Sequence, residues 1–255
     1  MVQTSSVAAI EAINLRKKFG EIDVANNINF RLENGARHAL IGPNGAGKTT
    51  FVNLLTGQVK PSGGTIHLNG RDVTSLSTDL RVRRGLARTF QINTLLRGLT
   101  VLENVQLAVL EQRNLGASVF FGKTAQIEAA DAAYDLLKQM NLAADARRTI
   151  SDLPYGRQRL VEVAIGLALK PSVLLLDEPA AGVTPADSHH MFDLIEALPS
   201  SIAVLIVEHD MKLVFRFARI ITVLVQGQVL LSGTPDQISS DPQVRDIYLG
   251  HRYHA

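Results

Sequence analysis

A glycine-rich run that ends in a lysine and a threonine is the first feature of the sequence with a chemical meaning. Residues Gly42 to Thr49 read GPNGAGKT, follow the apolar segment HALI and precede the helical segment TFVNLL. Glycine lets the backbone fold around a phosphate and point N–H groups at it, and the following helix adds its positive end. We expect Lys48 to contact β- and γ-phosphates and Thr49 to bind Mg²⁺. A strand, a loop and a helix form the setting that this motif requires, so the sequence predicts a site for ATP.

Two carboxylates follow the apolar run VLLL and are candidates for the hydrolytic chemistry. Asp177 and Glu178 stand where that strand is predicted to end, and open α/β sheets bind ligands at this end of their strands. We expect Asp177 to hold the Mg²⁺ shell and Glu178 to orient and deprotonate the attacking water. The alternative is an acidic pair that only caps the next turn. The phosphate loop favours the catalytic interpretation.

A histidine follows another apolar strand, within Glu208-His209-Asp210. A neutral imidazole at His209 could reach a γ-phosphate and the catalytic water, although a lone histidine after a strand is more often an ordinary surface or core residue. The two motifs above favour the functional role. The basic stretch from Arg81 to Arg88 is better explained as a solvated face than as a phosphate patch.

Composition bounds the class of protein. The chain has 255 residues, of which 46% are hydrophobic and 20% charged, and a formal net charge of +2. These values predict a globular protein with one large core and a small companion, and the charge is too small to indicate nucleic acid. Because cysteine is absent, disulfides and thiolate chemistry are excluded and a cytoplasmic location is expected. No apolar run is long enough to span a bilayer, so we expect membrane association only through a partner.

The order of elements predicts an α/β fold. The segment from Ala8 to Leu40, with a turn at Asn34-Gly35, and GGTIHLNG are expected to form an antiparallel sheet. Residues 94–168 show helical spacing, and apolar runs that alternate with a helix then indicate buried parallel strands. The predicted helices are Val101 to Gln112, Ala125 to Met140, Leu160 to Leu169 and Ser188 to Leu198, and the later strands are VLLLD, AVLIVE and IITVLV.

Taken together, these motifs resemble the nucleotide-binding subunits of ABC transporters over nearly the whole chain. The resemblance implies a single ABC ATPase domain over 1–255: a P-loop (RecA-like) core with an N-terminal antiparallel β layer over 1–93 and 169–255, and a helical insertion subdomain over 94–168. It also implies that Phe19 stacks on adenine, although the bare residue is better explained as core, and that Gln91 binds Mg²⁺ and senses the transporter. The nucleotide contacts that it implies are Phe19, Gly42, Pro43, Asn44, Gly45, Ala46, Gly47, Lys48, Thr49, Thr50, Gln91 and Asp177, with Thr49, Gln91 and Asp177 as the Mg²⁺ ligands and Lys48, Glu178 and His209 as catalytic residues.

The signature segment departs from the family pattern. Leu153 to Arg159 read LPYGRQR where the family has LSGGQ, so Pro154 and Tyr155 replace a serine and a glycine while Gly156 is kept and Arg157 follows. Proline suits the first turn of a helix, whose N–H groups can still face an anion. Thr184 replaces the usual aspartate of the loop through which two subunits communicate. Since such subunits pair head to tail, the altered segment acts on the partner's ATP, and we hypothesise a heterodimer with unequal sites.

A narrower resemblance links the chain to the ATP-binding subunits of branched-chain amino-acid importers. It rests on GPNGAGKTT, LxYGxQR, DEPAAG, VEHDM and the ending VRDIYLG. It implies two transmembrane permeases, a second ATPase subunit and, indirectly, a substrate-binding protein as partners, no nucleic acid, and a location on the inner face of the plasma membrane. Two alternatives remain open: the motor of a lipid or other exporter, and a soluble ABC ATPase without a transport role.

Overall fold

A computed structural model describes residues 7–89, 95–113 and 123–248 of the chain. The chain forms two compact units: the first combines Met1–Arg84 with Pro199–Ala255, and the second is Gly85–Leu198. The boundaries at 94 and 168 that the sequence suggests stay a prediction.

The strands are, in chain order, β1 (Ile10–Phe19), β2 (Ile22–Leu32), β3 (Arg37–Ile41), β4 (Gly63–Leu68), β5 (Arg71–Asp72), β6 (Leu86–Thr89), β7 (Val173–Asp177), β8 (Ala203–Val207), β9 (Ile220–Val225) and β10 (Gln228–Gly233). The helices are α1 (Lys48–Thr56), α2 (Thr78–Arg83), α3 (Val101–Gln112), α4 (Lys123–Gln139), α5 (Tyr155–Ala168), α6 (Pro185–Glu196), α7 (Met211–Phe217), α8 (Pro235–Ser240) and α9 (Pro242–Tyr248). In the described parts of the chain, every helix is too short or too polar to span a bilayer.

The first unit contains the predicted antiparallel β layer. Its strands lie in the order β2-β1-β4-β5, and β1 pairs antiparallel with both β2 and β4. The β1–β2 hairpin turns at Gly20, whose φ of 58° suits glycine. This layer and the α/β core beside it confirm the predicted fold class.

The first unit also contains four strands of a second sheet, and the phosphate loop follows β3. These four strands lie in the order β10-β9-β3-β8, with β3 parallel to β8 and β9 and β10 antiparallel to β9. Every residue of β3 and β8 is buried, as expected for parallel strands that are covered on both faces. The Asn34-Gly35 turn was expected within one antiparallel sheet, but it joins β2 to β3 and so links two different sheets.

Buried polar side chains tie the first unit together. The Nε2 atom of His38 lies 2.8 Å from the hydroxyl of Thr222, and the His38 ring packs against Phe30 at a centroid distance of 5.0 Å. Arg81 is only 1% exposed and donates to the carbonyl oxygens of Leu54 and Leu55, both at 2.7 Å. The guanidinium thus caps the last turn of α1, which has no basic residue of its own. The prediction that Arg81 belongs to a solvated face is therefore wrong.

The second unit combines a parallel strand pair with helices. Strands β6 and β7 pair in parallel, with Arg88 opposite Leu175 and Thr89 opposite Leu176. Helix α3 has the predicted bounds because a capping box starts it: Glu103 N–H donates to the Thr100 hydroxyl and the Thr100 N–H to the Glu103 carboxylate. Helices α4 and α6 lie within about three residues of their predicted bounds, whereas α5 begins at Tyr155, before the predicted start at Leu160.

Candidate nucleotide-binding site

The phosphate loop depends on glycines, because another residue at these positions would strain the backbone or clash with a neighbouring carbonyl oxygen. It connects β3 to α1, and Gly45 and Gly47 have φ values of 78° and 97°, a region that favours glycine. A Cβ atom on Gly47 would lie 2.7 Å from the carbonyl oxygen of Val24, and one on Gly42 would overlap the carbonyl oxygen of Leu224. The loop is therefore bounded by neighbouring backbone.

Lys48 holds the loop from inside. Its Nζ atom donates to the carbonyl oxygens of Gly42 at 2.6 Å and Pro43 at 3.1 Å, and the residue is 8% exposed. The ammonium group thus lies inside the curve of the loop, where its electrostatic attraction for a bound anion is strongest. Around it, Asn44 and Thr49 are exposed and Thr50 is half-buried.

The start of α1 favours a negatively charged ligand. Gly47 is the N-cap residue and makes no side-chain cap hydrogen bond, and the first turn of the helix carries no acidic residue. The N–H groups at the start of a helix and the positive end of its dipole together attract phosphate. The structure therefore combines helix, lysine and glycine loop in one cradle for phosphates.

His209 lies at the same sheet edge as the phosphate loop. Leu40 of β3 pairs with Val207 of β8 in a parallel register, so the segments that follow these two strands emerge side by side. His209 is exposed, and its backbone N–H donates to the Glu208 carboxylate at 3.1 Å. Asp210 then caps α7 by accepting from the N–H groups of Lys212 and Leu213.

Phe19 is exposed, and the interpretation of this residue as core is wrong. It ends β1 at the hairpin, opposite Ile22, and 49% of its surface is exposed. The Nζ atom of Lys17 lies 4.8 Å from the ring centroid, which gives the ring a cation–π contact. A solvent-facing aromatic ring fits the alternative role of a stacking surface for a base.

Asp177 in the second unit is held by an arginine that sequence analysis missed. It is the last residue of β7, and its Oδ2 atom accepts from Nη2 of Arg88 on β6 at 2.5 Å. The two side chains are 2% and 7% exposed. The prediction that Arg88 belongs to a solvated basic face is therefore wrong. The available signal was its place in the apolar run LARTF, where a charged side chain requires a buried partner.

Glu178 has a left-handed backbone. Its φ is 48°, which is uncommon for a residue other than glycine or asparagine and is often found at functional sites. The residue is half-buried, and its carbonyl accepts from the N–H of Ala181 at 3.1 Å. The left-handed backbone of Glu178 thus begins the turn that follows β7.

The signature segment starts α5, but Pro154 lies at the N-cap position, one residue before the predicted first turn. Here a serine would cap the helix, whereas proline provides no side-chain acceptor.

The Arg159 guanidinium lies over the ring of Tyr155 at 4.9 Å and pairs with Glu162 at 2.7 Å. Arg157 donates to the carbonyl oxygen of Asn141 at 2.7 Å. Desolvation raises the pKa of the buried Glu162 carboxyl, and the hydrogen bond from Arg159 opposes that shift.

The signature segment also packs on the turn that follows Glu178. A Cβ atom on Gly182 would lie 3.1 Å from the Tyr155 ring, and one on Gly156 would lie 3.1 Å from the Cβ atom of Asp187. Thr184 is the N-cap of α6: its hydroxyl donates to the Asp187 carboxylate at 2.8 Å and accepts from the Asp187 N–H at 3.2 Å. Threonine therefore preserves the start of this helix without the usual aspartate.

Only part of the predicted Mg²⁺ site lies within the described residues. Gln91 lies outside the described residues. Within the described residues, no group of three or more histidine and acidic side chains is placed to hold a metal ion. The hydroxyl of Thr49 and the carboxylate of Asp177 are nonetheless oxygen donors of the kind that Mg²⁺ prefers, and Mg²⁺ in phosphate sites needs only one or two protein carboxylates.

The chain belongs to the ABC transporter family. A family model described as ABC transporter matches residues 25–181, which include the phosphate loop, the signature segment and the Asp177-Glu178 pair. A second model, described as branched-chain amino acid ATP-binding cassette transporter, matches residues 228–254.

Within this family the chain is similar to high-affinity branched-chain amino acid transport ATP-binding proteins. It is 38% identical over 250 residues to BraF of Pseudomonas aeruginosa, with 94% of this chain and 97% of the relative covered. It is 41% identical over 245 residues to LivG of Escherichia coli, with 92% and 95% covered. The crystal structure of an ATP-binding cassette of an ABC transporter in its ADP conformation matches with a TM-score of 0.84 and 29% identity, and covers 95% of this chain and 99% of that one.

Proposed function

We propose that the chain is the ATP-binding and ATP-hydrolysing motor subunit of an ABC importer for branched-chain or related amino acids. The observation that carries the proposal is the phosphate cradle, in which the Nζ atom of Lys48 donates to two carbonyl oxygens of its own loop. The names of the relatives support the substrate class, because BraF and LivG are both branched-chain amino acid transport proteins. The C-terminal match over 228–254 supports it further.

The proposed chemistry assigns each residue one task. The loop N–H groups and Lys48 bind the β- and γ-phosphates of ATP, and Phe19 stacks on the base. Thr49, Gln91 and Asp177 are the proposed ligands of Mg²⁺, which neutralises phosphate charge when it is bound. Glu178 orients the attacking water and accepts its proton, and His209 contacts the γ-phosphate.

The proposed assembly is a head-to-tail pair of ATPase subunits that is bound to two membrane permeases on the cytoplasmic side. In this pair the segment from Pro154 to Arg157 acts on the partner's ATP. A substrate-binding protein is an indirect partner. Because Pro154 cannot supply a hydroxyl, we propose a heterodimer in which the partner contributes the other signature segment.

Two variants test the proposed hydrolysis. Glu178→Gln keeps the size of the side chain but removes the base, so we expect ATP binding to persist while turnover falls by at least about 100-fold. Lys48→Ala removes the cradle's charge, so we expect it to abolish ATP binding while the circular dichroism spectrum is unchanged. Binding of a fluorescent ATP analogue and phosphate release measure the two steps. Retained turnover in Glu178→Gln would contradict the assignment of the base.

The heterodimer has its own test. We expect the purified subunit to hydrolyse ATP slowly and without cooperativity, and to gain rate when the second ATPase and the permeases are added. Strong cooperativity of the isolated subunit, at the rate of the full complex, would reject unequal sites while leaving the ATPase assignment intact.

A further inference from the structure

The exposed ring of Phe19 is contacted by the ammonium group of Lys17, two residues earlier on β1. Side chains two residues apart share a face of a sheet, and the Nζ atom of Lys17 lies over the ring, 4.8 Å from its centroid. This distance is that of a cation–π contact. The chain leaves room beside the ring, since a Cβ atom on the next residue, Gly20, would meet no atom within 4 Å.

A hydrogen bond holds the Lys17 side chain in this position. The same Nζ atom donates to the carbonyl oxygen of Lys60 at 2.9 Å. The backbones of the two segments are joined beside this contact: the N–H of Ser62 donates to the carbonyl oxygen of Arg16 at 2.8 Å, and the N–H of Lys18 donates to the Ser62 hydroxyl at 3.1 Å. The ammonium group thus has two defined partners, the ring and a carbonyl oxygen on the neighbouring segment.

The segment that binds the Lys17 ammonium group is connected to the phosphate loop through α1. This helix begins at the phosphate loop, and the N–H of Val59, just after the helix, donates back to the carbonyl oxygen of Asn53 at 3.1 Å. On β2 of the same hairpin, the carbonyl oxygen of Val24 confines Gly47 of the loop. The hairpin and the phosphate loop lie in one compact unit, so these contacts set the position of the ring relative to the loop.

The adjacent lysine carries the same charge but has a different partner. The Nζ atom of Lys18 lies 3.4 Å from the Asp23 carboxylate, and the two side chains are 58% and 46% exposed. Such an exposed pair contributes little to stability. Lys18 therefore provides a matched control for the charge of Lys17.

We propose that Lys17 is a positioning residue that holds the ring of Phe19 from one face, so that the opposite face is presented to a nucleobase. This inference rests on the proposed function, in which Phe19 stacks on the base of ATP. A side chain that is already ordered loses less conformational freedom when a ligand binds to it, and the cation–π contact provides that order. The effect of Lys17 on affinity therefore requires both the ring and the base, unlike the effect of a cation that attracts phosphate.

Lys17→Met tests this role by binding, without any measurement of turnover. Isothermal titration calorimetry with Mg²⁺ in the buffer gives the dissociation constants of a non-hydrolysable ATP analogue and of inorganic tripolyphosphate, which has phosphates but no base. We expect Lys17→Met to bind the analogue about threefold more weakly than the wild type and to bind tripolyphosphate equally well. Lys17→Arg keeps a cation that can lie over the ring, so its affinity for the analogue should change by less than about 1.5-fold.

Two further variants separate this role from a general effect of charge. Lys18→Met should bind both ligands as the wild type does. In a Phe19→Leu background the ring is absent, so adding Lys17→Met should leave the affinity for the analogue unchanged. If Lys17→Met does not fold, as judged by circular dichroism, Lys17→Gln replaces it.

Three results would overturn the positioning role of Lys17. They are unchanged binding of the analogue in Lys17→Met, an equal loss for the analogue and for tripolyphosphate, and a similar loss in Lys18→Met. An affinity for the analogue that Phe19→Leu does not weaken would refute the stacking on which the inference rests. Failure of the wild type to bind the analogue at all would refute the proposed function itself.

Discussion

His38 makes the free energy of unfolding depend on pH in a predictable way. Burial lowers the pKa of this histidine from 6.5 to about 4, because the ring lies in the core between Phe30 and Thr222. The unfolded chain therefore binds a proton below pH 6.5 that the folded chain refuses, so stability is complete above that pH and is lost as the pH falls towards 4. The full shift corresponds to about 3 kcal/mol, of which about 2 kcal/mol is lost by about pH 5.

His38→Gln removes this titration and keeps a polar partner for Thr222. Urea unfolding, followed by circular dichroism at about pH 7.5 and about pH 5, gives the free energies of the wild type and the variant. The variant is expected to be the less stable at the higher pH, and the difference should shrink by about 2 kcal/mol at the lower one. His190→Gln, at an exposed position, should retain the wild-type dependence. The reasoning is refuted if His38→Gln and the wild type lose equal stability between the two pH values.

Two further substitutions test hydrogen bonds within the individual units. Arg81→Met leaves the carbonyl oxygens of Leu54 and Leu55 without their shared donor, so we expect the free energy of unfolding to fall by about 3 kcal/mol. Arg83→Met, at an exposed position, should change it by less than about 0.5 kcal/mol. Similar losses in both variants would argue against the capping role of Arg81. Thr100→Ala removes the capping box of α3 and should cost about 1 kcal/mol in chemical denaturation; no loss would show that tertiary packing alone fixes this helix end.

Elements with a complete local signal could be predicted from the sequence. Helix α3 and strands β7 and β9 have the bounds that the apolar pattern indicates. The sequence predicts the phosphate loop together with its strand and helix, because the binding of phosphate explains both the glycine spacing and the lysine. In each of these cases, residue type and spacing directly determine the local backbone.

The rest depends on partners that are distant in sequence. Arg81 and Arg88 are charged, and charged residues are usually solvated, yet each is buried against groups more than twenty positions away. Phe19 is apolar, yet a hairpin end leaves it exposed. The turn at Asn34-Gly35 has the residues of a hairpin, but nothing local indicates that β3 joins a different sheet from β2.

Part of what shapes the phosphate loop is backbone that lies outside it. Gly47 and Gly42 are confined by the carbonyl oxygens of Val24 and Leu224, whereas Lys48 donates to the carbonyl oxygens of Gly42 and Pro43. Because the confining atoms belong to the backbone of β2 and β9, a substitution at Lys48 leaves this confinement of the two glycines in place. A single substitution could thus remove the charge inside the loop while the surrounding backbone stays in place. A duplicated gene could diverge in this way without a change of fold.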